Sequence, residues 1–172
     1  MSHSGVVAGL FAGRFAVEIS TNLTTWTAVS SATVKIDDVE LTRPSGEAFV
    51  GGSSDYATLT IGKHQPVDIT LTFLYNELAG SATNIILDRI QLPVSSLAVR
   101  WAPRGLVPSA RAFGTSNDGG TSFGLGVVTG VTLSTLDPDE PEPYVAMVTV
   151  RTPWIRQYIL ATSPTDLSPA SP

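Results

Sequence analysis

Three carboxylates fall within four positions, Asp37, Asp38 and Glu40 of the stretch TVKIDDVEL. Paired carboxylates suit general acid and base work or the binding of a hard cation. Successive residues of a strand point to opposite faces, so Asp37 and Asp38 do not converge on one substrate; a solvated edge, or one lining a lumen, is the better reading. The two histidines are His3 and His64. His64 with Asp68 and a serine can be drawn as a triad, but nothing sets a nucleophile on a sharp elbow or supplies an oxyanion hole. The acidic run Asp137 to Pro143 is broken by prolines and lacks the glycine turn and ligand spacing of a cation loop, so it reads as an exposed hairpin connection. Arg104 and Arg111 form an anion clamp or, more simply, solvated groups or partners at a subunit contact. There is no phosphate-binding loop, no dinucleotide glycine pattern and no paired histidines for zinc. The chain reads as a scaffold and not an enzyme, with no catalytic, cofactor or metal residues.

The elements that carry these residues alternate with a period of two. From Tyr56 to Glu77, Leu59 and Ile61 alternate with threonines, and Val67, Ile69, Leu71, Phe73 and Tyr75 alternate with Asp68, Thr70 and Thr72. With Gly62 and Pro66 between the halves, this stretch predicts a hairpin with one apolar and one threonine-rich face. Phe15 to Ile19, with Glu18 on the polar row, is a first strand, and Trp26 a core plug at the start of the second. Thr42 to Asp55 reads as a long functional or mobile loop with Phe49 and Val50 as its apolar pair. Ser81 caps a helix from about Ala82 to Gln91 that Pro93 stops. Leu97 to Trp101, Gly124 to Leu136 and Tyr144 to Thr152 are further strands. Gly126 and Gly130 mark a bulge or a close backbone approach. Residues 102–122 are too polar for a core element.

These patterns give a mainly β (α+β) chain: an antiparallel β-sandwich or barrel with one short flanking helix. The 172 residues divide into an N-terminal arm (1–13), one β domain (14–160) and a Pro/Ser tail (161–172), both ends flexible on their own. No cysteine is present, so neither disulfides nor thiolate sites arise. Hydrophobic residues make up 42% and charged ones only 15%, a sparse supply of charge for a small monomer and a sign of oligomerisation. The net charge of −5 argues against a grip on nucleic acid. Without a basic region before the short N-terminal apolar run, and without a bilayer-spanning run, the expectation is a chain made without export and without membrane insertion.

The order of FAVEIS and TTWT, GEAF, LTIGKHQPVDITLTFLY, VRWAPRG and VTVRTP, with one helix before VRWAPRG, resembles the major tail proteins that build the tail tubes of long-tailed bacteriophages. The resemblance spans most of residues 14–153. It implies a β-sandwich or barrel with one helix, and six copies that join their sheets into a ring around an inner barrel. Rings would stack into a tube through which DNA passes without specific binding. It further implies a virion tail location after assembly in the host cytoplasm, with tape measure, tail-tip and terminator proteins as partners. On this reading Asp37, Asp38, Glu40, Asp68, Thr70 and Thr72 face the lumen, and Phe49, Val50, Arg104 and Arg111 make subunit or ring contacts. The Tyr56 to Glu77 hairpin would contribute to the inter-subunit sheet, and repeated acids would keep DNA off the wall. Two alternatives stand beside it: a secreted or surface carbohydrate-binding β-sandwich using Trp26, Trp101 and Trp154, and the inner tube or terminator of a contractile injection machine.

Overall fold

The computed structural model describes residues 15–29, 34–37, 39–40, 45–50, 57–61, 65–90, 95–139 and 142–170. The chain forms strands β1 (Ala16–Ser20), β2 (Thr27–Val29), β3 (Val34–Ile36), β4 (Ser45–Val50), β5 (Ala57–Ile61) and β6 (Val67–Leu74). The helix α1 (Ala82–Ile90) follows, then β7 (Ser96–Ala102), β8 (Arg111–Ser116), β9 (Gly126–Leu133), β10 (Val145–Thr152) and β11 (Trp154–Ile159). The fold is mostly antiparallel β-sheet with one short helix among the described residues, as the alternation predicts.

Strand β7 is shared between two layers. Its first residues pair with β9, Ser96 opposite Val127 and Leu97 opposite Gly126, and so extend the layer β3-β6-β10-β9. Its later residues pair with β1 on one side and β8 on the other, giving the layer β2-β1-β7-β8-β11. The two layers close on one core. Ile69, Leu71 and Phe73 of β6 and Ala146, Val148 and Val150 of β10 are buried, as are Leu97, Val99 and Trp101 of β7 and Val17 and Ile19 of β1. Each set is spaced by two, so one face of each strand is apolar and burial follows from the pleat.

Helix α1 seals one side of this core through Ile86, which is buried. It starts where the Ser81 hydroxyl accepts the Asn84 N–H at 3.3 Å, and Arg89 stands in its last turn, where a cation opposes the helix dipole. Gly126 and Gly130 divide the two roles expected of them. A Cβ on Gly126 would sit 2.6 Å from Val150 Cγ1 and 2.9 Å from the Arg151 carbonyl, so this glycine permits a close approach. Gly130 lies beside the register shift between Thr149 and Val150, where β9 carries an extra residue.

Several expectations need correction. The Tyr56 to Glu77 stretch is not a hairpin: β5 pairs with β4 through Ser45 opposite Ile61, and both edges of β6 are taken, by β10 and by β3. β6 is therefore an interior strand, and the edge it was expected to offer to another subunit belongs to β3. The Thr42 to Asp55 loop contains β4, with Phe49 opposite Thr58 and Val50 opposite Ala57. Within 102–122, strand β8 is largely buried despite its polar letters, because Gly114 packs against Phe123 and the Thr115 hydroxyl donates to the Gly124 carbonyl at 2.7 Å.

The tail is corrected as well. Leu160 pairs with Pro169, and Leu167 is buried with Tyr158, Ala110 and Ala112 in a second apolar cluster behind the β1-β7-β8-β11 layer. The N-terminal arm, Asp38, the His64 turn and Pro93 lie outside the described residues.

Candidate functional site

The layer β3-β6-β10-β9 buries one face and leaves the other open. Register assigns the open face directly: Lys35, Thr72, Met147 and Thr132 form one cross-strand row, Thr70, Thr149 and Gly130 the next, and Asp68, Arg151 and Val127 a third. Residues directly opposite in an antiparallel pair share a face, which is why four sequence-distant strands build one surface. The Thr70 and Thr149 hydroxyls meet at 3.2 Å.

Charge on this face is paired. Arg151 grips Asp68 with two parallel hydrogen bonds, Nε to Oδ1 at 2.7 Å and Nη2 to Oδ2 at 2.8 Å. The guanidinium's hydrogen bonds hold the Asp68 carboxyl below its ordinary range, and the carboxylate raises Arg151 in turn. Lys35 Nζ lies 2.9 Å from Asp37 Oδ1, and the Asp37 N–H donates to the Thr70 carbonyl at 3.0 Å.

Of the residues predicted to face a lumen, Asp37, Asp68, Thr70 and Thr72 thus come together on one open surface. Glu40 is exposed beyond β3, and Asp38 lies outside the described residues. Asp68 faces Arg151 across the ladder and Asp37 pairs with Lys35 two positions away, so the surface is close to neutral and rich in hydroxyls.

Of the predicted contact residues, Arg104 lies in the β7–β8 connection and Arg111 at the start of β8, both exposed. Arg111 opposes Ile159 of β11 and donates to Gln157 Oε1 at 3.4 Å. Phe49 and Val50 lie on β4, which pairs with β5 in a sheet of its own.

A second site was missed by sequence reasoning. Glu18, expected on the solvent-facing row, is 6% exposed, and Arg100, directly opposite it on β7, is 3% exposed. Arg100 Nε donates to Glu18 Oε2 at 2.6 Å, and Nη2 contacts the same oxygen. Glu18 Oε1 accepts the Leu167 N–H at 3.2 Å, and the Tyr158 hydroxyl donates to the Leu167 carbonyl at 2.7 Å.

Above the guanidinium lie the rings of Trp26, at 4.1 Å from its centroid, and Phe123, at 5.6 Å. Burial pushes the Tyr158 phenol up, so it remains a donor. The Glu18 carboxylate, Arg100 Nε and Nη2 and the Tyr158 hydroxyl each meet a partner, so the cluster pins β1, β7 and the C-terminal segment together. The available signal was a lone acid and a lone arginine inside otherwise buried strands, AVEIS and SLAVRWA.

Trp26 caps this pair instead of plugging the main core. Trp101 is buried and stacks on Phe113 at 5.6 Å, which removes it as a carbohydrate platform. Among the described residues no group of three His, Asp or Glu could hold a metal, and no helix is long and apolar enough to cross a membrane.

No family model and no curated protein matches the chain. Solved structures do. A chain of the sheath-tube complex of an extracellular contractile injection system, PVC, in its extended state is similar at a TM-score of 0.59 and 15% identity, over 93% of this chain and 99% of that one. A chain of the anti-feeding prophage baseplate follows at 0.57 and 13%, over 87% and 93% of the two chains. A chain of the cap that terminates the anti-feeding prophage tube scores 0.54 at 18% identity, over 85% and 88%. At these identities the likeness is one of fold, and the fold is the β-rich tail-tube type found in chains of tube, baseplate and cap assemblies.

Proposed function

We propose that this chain is a structural subunit of a tail-type tube. Copies join edge to edge into hexameric rings, the rings stack, and the open face of β3, β6, β10 and β9 lines the bore. Asp37, Asp68, Thr70 and Thr72 then face the lumen, joined by Asp38 and Glu40 from the adjoining segment.

The observation that carries this reading is the open, hydroxyl-rich and charge-paired face on a sheet whose other side is core. A wall of that kind offers no run of cations to displace counterions from DNA, so a duplex passes without being held. β3 stands last in its layer among the described residues, and ring closure would set a neighbouring subunit beside it. Phe49, Val50, Arg104 and Arg111 serve subunit or ring contacts, and tape measure, tail-tip and terminator proteins are the further partners, in a virion tail assembled in the host cytoplasm. A second reading, the inner tube or terminator of a contractile injection machine, is favoured by the source of the similar solved chains.

Negative-stain microscopy of the purified chain tests both: tubes or six-fold rings are expected. A Thr70→Lys, Thr72→Lys double variant should fold but assemble poorly or jam passage, because lysines repeated around a bore repel one another and hold DNA. Isolated globules under all conditions would overturn the proposal.

A further inference from the structure

Where β2, the end of β6 and the start of α1 meet, the surface holds a cleft of about 420 Å³. Its walls include Ala28 and Val29 of β2, Phe73 and Leu74 of β6, and Ala82 of α1. The hydroxyls that line it are all engaged: Tyr75 donates to Glu77 Oε1 at 3.2 Å, Ser81 to the Asn76 carbonyl at 2.9 Å and Thr83 to the Leu74 carbonyl at 3.2 Å. The lining is thus mixed, with apolar walls beside polar backbone and the exposed Asn76. That mixture matches a peptide segment, whose side chains meet the walls while its main chain meets the polar groups.

Residues 1–14 lie ahead of the described residues and lead into Phe15, which packs against the core cluster that holds Val29 and Phe73, as Ala82 also does. Val17 stands directly opposite Val29, so the first strand begins beside one wall of the cleft. Strand geometry sets Phe15 within about 10 Å of Val29. Ahead of it come Val6, Val7, Leu10 and Phe11, with no charged residue between them. The chain from Leu10 to Phe15 spans up to about 17 Å when extended, enough to lay Leu10 and Phe11 over the cleft. The segment between β2 and β3, 30–33, offers no apolar side chain larger than Ala32.

We infer that the segment around Leu10 and Phe11 docks in this cleft of its own chain. Two driving forces act together. Docking removes large apolar side chains from water, and it does so against walls that are themselves apolar. A tether this short also holds the segment at an effective concentration of about millimolar, so its own cleft is filled before that of another copy. The segment is then a plug of the fold and not the free arm that its composition suggests. The inference stands apart from the tube reading, and its test needs no assembly.

The chain has no cysteine, so a designed pair reports the contact directly. Leu10→Cys or Phe11→Cys, each combined with Ala82→Cys and oxidised in dilute solution, should form an internal disulfide, seen as a faster-running monomer on a non-reducing gel. The same segment cysteines combined with Thr132→Cys, on the open face, should not. A second readout is tryptic cutting after Arg14, the sole Lys or Arg of the segment. Ala28→Trp, at an exposed position of the lining, fills the cleft, and Leu10→Asp with Phe11→Asp spoils the plug. Both variants should be cut at least about tenfold faster than wild type, since cutting follows the undocked fraction. Disulfides that join two chains would place the segment on another copy and overturn the assignment. So would the lack of an internal disulfide with Ala82→Cys, one formed as readily with Thr132→Cys, or cutting of both variants at the wild-type rate.

Discussion

At the scale of single residues the decisive group is Arg100. Its guanidinium is buried, held by Glu18 and covered by the Trp26 ring. A buried ion pair contributes little net stability over apolar residues of the same size, yet removing one partner strands the other charge away from water. Arg100→Met is expected to cost about 3 to 5 kcal/mol, and Glu18→Leu added to it should return part of that loss. Urea denaturation of the two variants is the check; an Arg100→Met chain as stable as wild type would show that water reaches Glu18.

Asp118 gives a pH signature at the same scale. Its carboxylate accepts hydrogen bonds from Ser122, first through the hydroxyl and then the backbone N–H, and also from Ser116 and Thr121, which hold its pKa at about 2. The folded value lies below that of an unfolded chain, so the stabilisation is complete above about pH 4 and is lost as pH falls through the folded value. Asp68 behaves with the same sign through Arg151. The 116–122 loop should resist protease down to below pH 3, roughly a unit under an ordinary aspartate, and Asp118→Ala should be cut readily at every pH in that range.

At the scale of elements the C-terminal segment acts as a strap. Leu167 is buried against Tyr158 and Leu160, and its backbone N–H and carbonyl are both engaged from the body of the fold. Leu167→Ala should cost about 2 to 5 kcal/mol, the range for emptying a leucine site in a core. A thermal melt within a degree of wild type would mean that the strap is dispensable.

The strap also shows what the sequence can and cannot tell. Strand alternation made β6, β7 and β10 legible, with their core faces, as it did the helix and its Ser81 cap, because these are local patterns. Pairing is not local: Leu59 and Ile61 declared a strand, but nothing in their letters says that β4 is the partner and β6 already has two. Nor does SPTDLSP advertise burial of its single leucine, since one apolar residue among turn formers has no period. Of the open face, the Asp68, Thr70 and Thr72 row was legible, whereas its neutralisation by Arg151 depends on a register between strands more than 80 positions apart.

At the scale of the whole molecule, two layers joined through β7 leave a hydroxyl-rich, charge-paired face outside, the surface that the proposed tube would turn to its bore. The hydrogen bond from Leu167 to Glu18 has a consequence in time as well as in space. It spans 149 positions, and closing so long a loop costs about 4 kcal/mol of chain entropy before any contact is gained. The β9–β10 pair, joined by one short connection, meets far sooner. Refolding should therefore be ordered, with the β9–β10 ladder protected early and the amide of Leu167 last, and the Arg100 pocket stays open to water until that final step.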